Sequence, residues 1–414
     1  MQATRTLRLA LFTILALCGT SWAGHGHSKY AGRNIAIVVF LDGTSAAERR
    51  QAADTAGAKV VRDLPFIGAM VVELPGPHPT GYHQPLSSHR RFESMEDNSY
   101  RIWINDAGFD TGDPGLAGQT EALLQGAAAT KKKVSSDSTA LKDGEIPWGI
   151  ARVHAPAVWS KTMGKGVKVG VIDTGIDSKH PDLAANYKGG VNIVDSAASP
   201  DDDNGHGSHV AGTIAAVKDG SGVVGVAPEA SLYAIKVLDA DGGGTPDAIV
   251  DGLQWAAEHG MDVVNLSLGG PGTPALKRAV KAANKAGVTV VAASGNDPKS
   301  PVSSPANYPE AIAVSASTKE EKLASFSTTG PEVAFIAPGH EVISDAPGGK
   351  LAQHSGTSMA TPHVAGLAAL AISLGAKGPA QVRAALQRAA TPLDGMSAEQ
   401  QGAGMIDASR LLKR

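Results

Sequence analysis

Beyond about residue 160 the chain carries short, nearly continuous apolar runs separated by longer stretches of helical character. Val167–Ile172, Leu232–Val237, Asp262–Leu266, Val288–Ala293 and Ala311–Ser315 read as strands buried on both faces. Strands of this kind that alternate with helices predict an α/β unit, a mostly parallel sheet flanked by helices. The run Met359–Leu374 is apolar nearly all round and predicts a buried helix, with Ser358 at its start and Pro362 in its first turn. The first third of the chain has another rhythm. Asn34–Leu41 predicts a strand, Ser45–Ala56 a helix, and Ala58–Arg62 and Ile67–Leu74 strands. A short helix near Leu86–Met95 and a strand at Tyr100–Asn105 follow, so residues 34–106 form a small α+β unit of order βαββαβ. Residues 107–143 are rich in Gly, Ala, Ser, Thr and Lys without clear periodicity and read as a linker, which leaves 144–414 for the larger unit.

The chemistry sits at the ends of these elements. Val167–Ile172 runs into Asp173-Thr174-Gly175, which sets a carboxylate at the carboxyl end of a parallel strand, where open α/β sheets build their sites. His206 lies between Gly205 and Gly207 at the start of a small-residue helix. His209, three residues on, reads as a structural histidine inside that helix. A serine hydroxyl is a weak nucleophile and needs a base, an orienting acid and an oxyanion hole. Ser358, His206 and Asp173 supply the first three parts. An α/β-hydrolase would carry them in the order Ser, Asp, His. An aspartic peptidase would use Asp-Thr-Gly twice, but the second copy here, at Asp110, falls in the linker.

Asp173-Thr174-Gly175, His206-Gly207-Ser208-His209 and Gly356-Thr357-Ser358-Met359-Ala360, in that order, resemble the three signatures of the subtilisin-like serine peptidases. The resemblance runs from about Trp148 to about Leu412. It implies an endopeptidase that cleaves polypeptides through an Asp173–His206–Ser358 triad and an acyl-enzyme. The amide of Asn296, after the strand Val288–Ala293, would form the oxyanion hole with the Ser358 N–H. Gly242, Gly243 and Gly244 resemble one edge of the family's substrate cleft, and the segment around Ser267, Leu268 and Gly269 the other. An extended peptide would add between them as a middle strand. By the same analogy Ser267, Leu268, Gly269, Ala293, Ser294 and Gly295 line the primary pocket, with Asp297 at its rim and Ser303 as its floor. The family's structural Ca2+ would be held by Asp182, Asp219 and the carbonyls of Val217, Ser221 and Val223. The chain departs from the family at Asp143-Gly144-Glu145, where a Gln ligand often stands. The run Asp201–Asp203 reads as a solvated charge run.

The N-terminus adds a compartment. Arg5 and Arg8, the apolar stretch Leu9–Cys18 and Ser21-Trp22-Ala23 predict a secretory signal over residues 1–23. Lipid attachment at Cys18, the sole cysteine, is the alternative. The unit 34–106 resembles the family's propeptide, which implies a self-processing zymogen with its own intramolecular inhibitor. Cleavage is expected in the linker, at Lys131–Lys133 or near Ala140-Leu141. A net charge of -3 argues against nucleic acid as a partner, and a monomer is expected. The competing class is a secreted peptide-binding pseudoenzyme.

Overall fold

The computed structural model describes residue 30 and residues 32–75, 84–106 and 146–412. The expected signal segment, Cys18, Asp110, the linker and Asp143–Glu145 lie outside the described residues.

The N-terminal unit is a four-stranded antiparallel sheet of order β2-β3-β1-β4. Its strands are β1 (Ile35–Phe40), β2 (Lys59–Leu64), β3 (Ala69–Glu73) and β4 (Phe92–Asp97). The helix Ala46–Thr55 crosses one face and opens with a capping box between Ser45 and Glu48. Alternation along β1 assigns its two faces. Ala36, Val38 and Phe40 pack with the unit's own helix, whereas Ile35, Ile37 and Val39 join the core of the larger unit. The βαββαβ order holds with two corrections. The helix near 86–95 is one turn, Gln84–Ser87, and Phe92–Met95 belongs to β4. The segment 100–105 does not join this sheet. Its strand β5 (Arg101–Ile102) pairs antiparallel with β9 (Gly243–Gly244) of the larger unit.

The larger unit is built on β6 (Lys168–Asp173), β7 (Tyr187–Asn192), β8 (Ser231–Lys236), β10 (Val263–Leu266), β11 (Thr289–Ala293), β12 (Ala311–Ser317), β13 (Val333–Pro338), β16 (Ala390–Thr391) and β17 (Met405–Ile406). They form a nine-stranded sheet of order β16-β17-β13-β12-β11-β10-β6-β8-β7, parallel except for the β16–β17 pair. A hairpin of β14 (Val342–Ala346) and β15 (Lys350–His354) stands apart. After β6 the chain crosses to the edge as β7, returns to β8 beside β6, then passes to the other side of β6 as β10, β11 and β12. The crevice therefore opens beside the carboxyl end of β6, at the topological switch point. Helices His206–Ala215 and Thr357–Ser373 cover one face. Helices Pro246–Glu258 and Pro274–Lys285 cover the other and also receive the N-terminal sheet.

That docking meets a backbone requirement. The first N–H groups of a helix have no partner within it. Asn98 Oδ1 accepts from Asp247 N at 3.0 Å and Glu96 Oε2 from Ala275 N at 3.2 Å, so the N-terminal unit caps both helices it covers. Arg62 pairs with Asp247 and Asp251, and the Tyr30 hydroxyl donates to Asp247 at 2.9 Å.

Packing is tight where the helix His206–Ala215 ends. A Cβ on Gly225 would lie 2.4 Å from the backbone nitrogen of Ala215. Gly225→Ala should therefore destabilise the larger unit by about 1–3 kcal/mol, the usual cost of overpacking. A thermal melt of the protein, lowered by several degrees, is the expected reading.

Candidate active site

Asp173 ends β6 with no solvent exposure. Its Oδ1 accepts the Thr174 N–H at 2.7 Å and lies 2.8 Å from Nδ1 of His206. His206 is the first residue of the helix His206–Ala215, preceded by Gly205 at φ 112°. The helix start abuts the acid loop so closely that a Cβ on Gly207 would fall 2.1 Å from the Gly175 carbonyl oxygen. Glycine is required there to bring His206 and Asp173 together. His209 is fully buried and donates Nε2–H to the Val342 carbonyl at 3.1 Å. Burial holds it well below the usual histidine range, so it is neutral.

Ser358 is the second residue of the helix Thr357–Ser373. Pro362 is therefore not in the first turn, as the sequence suggested, but inside the helix. A proline there removes the N–H that would bond to the carbonyl four residues back, which is that of Ser358. The Ser267 hydroxyl supplies the missing bond to the Ser358 carbonyl at 2.7 Å. The Ser358 hydroxyl in turn reaches the Ser267 carbonyl at 3.2 Å.

Asn296 is oriented from behind. Its Oδ1 accepts the Thr357 N–H at 2.8 Å and the Thr357 hydroxyl at 2.9 Å. A backbone N–H only donates, so the amide nitrogen must face the cleft.

Asp106 fills the space among these groups. Its Oδ2 is 2.9 Å from Nε2 of His206, and its Oδ1 accepts from the Ser358 hydroxyl at 2.6 Å and from Nδ2 of Asn296 at 2.8 Å. Nδ2 of Asn296 also donates to the Asn105 carbonyl at 2.9 Å. His206 thus lies between two carboxylates and donates from both ring nitrogens. Burial alone would lower its pKa, but the charge of Asp173 and the hydrogen bonds His206 donates to Asp106 and Asp173 outweigh this and raise it to about 10. Asp106 was not singled out in the sequence. Nothing local marks it, because its role comes from where the strand before it leads.

That strand lies between the two glycine-bearing edges. Arg101 and Ile102 pair with Gly244 and Gly243, the Trp103 N–H donates to the Gly242 carbonyl at 3.1 Å, and the Gly269 N–H donates to the Trp103 carbonyl at 3.0 Å. The Trp103 ring is buried, donates to the Gly244 carbonyl at 3.0 Å, and lies where a Cβ on Gly270 would meet it at 2.8 Å. Ser303 stands between Gly269 and Gly295: Cβ atoms on these glycines would fall 3.0 Å from its Cβ and 2.8 Å from its Oγ. Leu268, Ala293 and Ser294 are buried beside them, and the Ser294 hydroxyl is committed to the Thr328 carbonyl at 2.8 Å. The side chain of Ser267 is also committed, to Ser358, so it is not a free pocket group. Asp297 caps its own turn through Lys299 N and the Ser300 hydroxyl.

The loop from Val217 to Val223 wraps Asp182. Asp182 is buried, its carbonyl accepts Val217 N–H and its Oδ2 accepts Val223 N–H, both at 2.8 Å. A Cβ on Gly222 would sit 2.0 Å from Asp182 Oδ2, so the loop closes on the carboxylate with no room for a side chain. Asp219 is exposed and accepts Ser221 N–H at 3.0 Å. His180, Asp182 and Asp345 form a buried group that could hold a metal. His180 spends Nδ1 on Asp182 N–H and Nε2 on the Lys350 carbonyl, which leaves the carboxylates as the available donors. Asp345 was missed in the sequence. It is fully buried, and burial with the neighbouring Asp182 charge pushes its carboxyl well above the usual range.

Comparison with known proteins agrees with this geometry. The sequence profile of the Subtilase family matches residues 164–404. Subtilisin BL of Lederbergia lenta is 50% identical over 269 residues, 64% of this chain and 97% of that protein. An alkaline protease of Alkalihalobacillus alcalophilus is 49% identical over 269 residues, 64% and 69% of the two chains. Subtilisin E of Bacillus subtilis (strain 168) is 50% identical over 259 residues, 60% and 67%.

The charge on His206 has a pH signature. Its folded pKa lies above the ordinary value near 6.5, so the stability it contributes is complete below about pH 6.5 and is lost as pH rises through about 10. In uncleaved Ser358→Ala protein, NMR should find His206 titrating near 10. Adding Asp106→Asn should lower that value by about one unit or more, since one of two flanking charges is gone. An unchanged titration would remove Asp106 from the contact.

Proposed function

Because the chain belongs to the subtilase family and is a subtilisin-like serine endopeptidase acting on polypeptides, we propose that Asp173, His206 and Ser358 are its acid, base and nucleophile. The supporting observation is convergence: His206 Nε2, the Ser358 hydroxyl and Asn296 Nδ2 all meet the one carboxylate of Asp106. A substrate carbonyl in that place would be within reach of the nucleophile, the base and an oxyanion donor together.

The steps follow from the contacts. Ser358 Oγ attacks the scissile carbonyl carbon while His206 Nε2 takes its proton. Asp173 holds the ring with Nδ1–H toward itself and stabilises the imidazolium. Asn296 Nδ2 and the Ser358 N–H donate to the oxyanion, in geometry fixed before substrate arrives. His206 returns the proton to the leaving amine, and water then releases the acyl group by the same route. Substrate backbone would add between Gly242–Gly244 and Ser267–Gly269, as the segment at Trp103 does now. Leu268, Ala293, Ser294 and Gly295 would wall the primary pocket, with Ser303 at its floor.

Residues 34–106 act in this reading as a propeptide that inhibits by filling the cleft, 107–143 as the linker and 144–414 as the catalytic unit. The stretch presented to Ser358 is Asn105–Asp106. Cleavage in the linker, at Lys131–Lys133 or near Ala140-Leu141, would then separate the two units. Residues 1–23 direct secretion. Asp182, Asp219 and the carbonyls of Val217, Ser221 and Val223 would hold Ca2+. The closed cradle around Asp182 suits a hard cation with oxygen ligands. When bound, the ion would pin the loop to the end of the base helix.

A serine-directed fluorophosphonate should label the mature protein and fail on Ser358→Ala, whose peptidase activity should fall by roughly 10^4-fold or more. Asn296→Ala should lower kcat by about 10^2–10^3 with little change in KM, a magnitude established on subtilisin. Equal labelling of both proteins would refute the assignment of Ser358. Chelation should lower the melting temperature of mature enzyme, as loss of a ligand bound only to the native state must. Asp182→Ala should make the melt indifferent to chelator, and a wild-type melt unmoved by chelator or added Ca2+ would discard the ion.

A further inference from the structure

Asp201, Asp202 and Asp203 look in sequence like a solvated charge run, yet each has a task. Asp201 accepts from the hydroxyls of Ser178 and Ser199. Asp203 pairs with the buried ammonium of Lys236 at 2.6 Å. Asp202 lies between the acid loop and the base helix and bonds to both. Its Oδ1 accepts from the Thr174 hydroxyl at 2.8 Å, Gly205 N at 2.9 Å and Asn204 N at 3.1 Å. Its Oδ2 accepts from Ser208 N at 2.8 Å and the Ser208 hydroxyl at 2.7 Å.

We propose that Asp202 is a positioning residue for the triad, and that its carboxylate sets where Asp173 stands relative to His206. This rests on the triad reading given above. Thr174 follows Asp173 directly, and Gly205 and Ser208 bracket His206. The base helix opens on a glycine, which has no side chain to serve its first N–H groups. Three other side chains do so: Asn204 Oδ1 takes His206 N–H at 3.1 Å, Asp202 takes Ser208 N–H, and the Thr174 hydroxyl takes Gly207 N–H at 3.0 Å while donating its own proton to Asp202. One carboxylate and one hydroxyl thus tie both ends of the Asp173–His206 bond. The Ser208 hydroxyl extends the tie by accepting Asp177 N–H at 2.9 Å. Lys236 holds the opposite side of the same residue, donating to the Thr174 carbonyl at 2.6 Å and the Leu238 carbonyl at 2.9 Å. Among the described residues Asp202 bonds to Thr174, Asn204, Gly205 and Ser208 and to nothing in the strand that fills the cleft, so its loss acts on alignment and not on substrate binding.

The test uses full-length protein with the prosegment removed by an exogenous protease, and a soluble peptide substrate. Asp202→Ala should lower kcat by about 10- to 100-fold, the scale of a small misplacement of reacting groups, with KM within about twofold. Asp202→Asn, which keeps one acceptor oxygen, should recover part of the loss. Thr174→Val, which keeps the shape and removes the hydroxyl, should reproduce much of it, while Thr174→Ser should behave as wild type. The Asp202→Ala/Thr174→Val pair should lose less than the product of the single losses, because both cut one network. If Asp202→Ala does not fold, Thr174→Val against Thr174→Ser decides by the same kcat-against-KM criterion. Wild-type kcat in Asp202→Asn and Thr174→Val, a loss confined to KM, or losses that simply multiply would each overturn the proposal. Ser358→Ala serves as the control for the underlying reading: activity there would sink the triad itself, whereas an inactive Ser358→Ala beside a fully active Asp202→Asn sinks only the positioning role.

Discussion

A carboxylate with no access to solvent has to be given its partners by the fold, and that requirement shapes everything around Asp173. Its charge is compensated by a backbone N–H and by the imidazole of His206, each within 2.8 Å. To bring the imidazole there, a helix must start against the loop that leaves β6, which demands glycine at 207 and hydrogen-bond acceptors for the helix's first turn. To bring the loop there, β6 must lie where the sheet reverses direction. Sheet order, helix start and loop composition are thus conditions on one buried pair.

The N-terminal unit meets the catalytic unit on different terms in different places. Over the helices it gives apolar area from one face of its sheet and acceptors for two helix N-termini. In the cleft it gives backbone, one extended segment bonded on both sides. At the end of that segment it gives a carboxylate to groups otherwise arranged for a developing oxyanion. The first contact combines apolar area with a few side-chain bonds, the second is carried mainly by backbone, and the third rests on one carboxylate.

How much of this was legible follows from how local each signal is. Strands such as Val288–Ala293, found at Thr289–Ala293, are apolar on both faces because helices cover both sides of the sheet, so their pattern survives in the sequence. Asp173, His206, Ser358 and Asn296 sit in short motifs at element ends and could be read directly. Phe92–Met95 was misread as helical because the edge strand β4 is only half-buried and its pattern is diluted by Glu93, Ser94 and Glu96. Asp106, Asp202 and Asp345 were not legible. Each takes its meaning from residues far away in sequence: Ser358, Thr174 and Asp182. A charged residue with distant partners looks the same in sequence as one in water.

The proline inside the nucleophile's helix has a mechanical consequence. Pro362 leaves the Ser358 carbonyl without its helical donor, and the vacancy is filled by Ser267, from the wall along which substrate lies. In the reading proposed above, the attacking serine is therefore tied to the segment that lines the substrate as well as to its own helix. A shift of that wall would therefore carry the Ser358 carbonyl with it. In that reading, the gap between Ser358 and a bound peptide is set by a bond shared between nucleophile and wall, not by the helix alone.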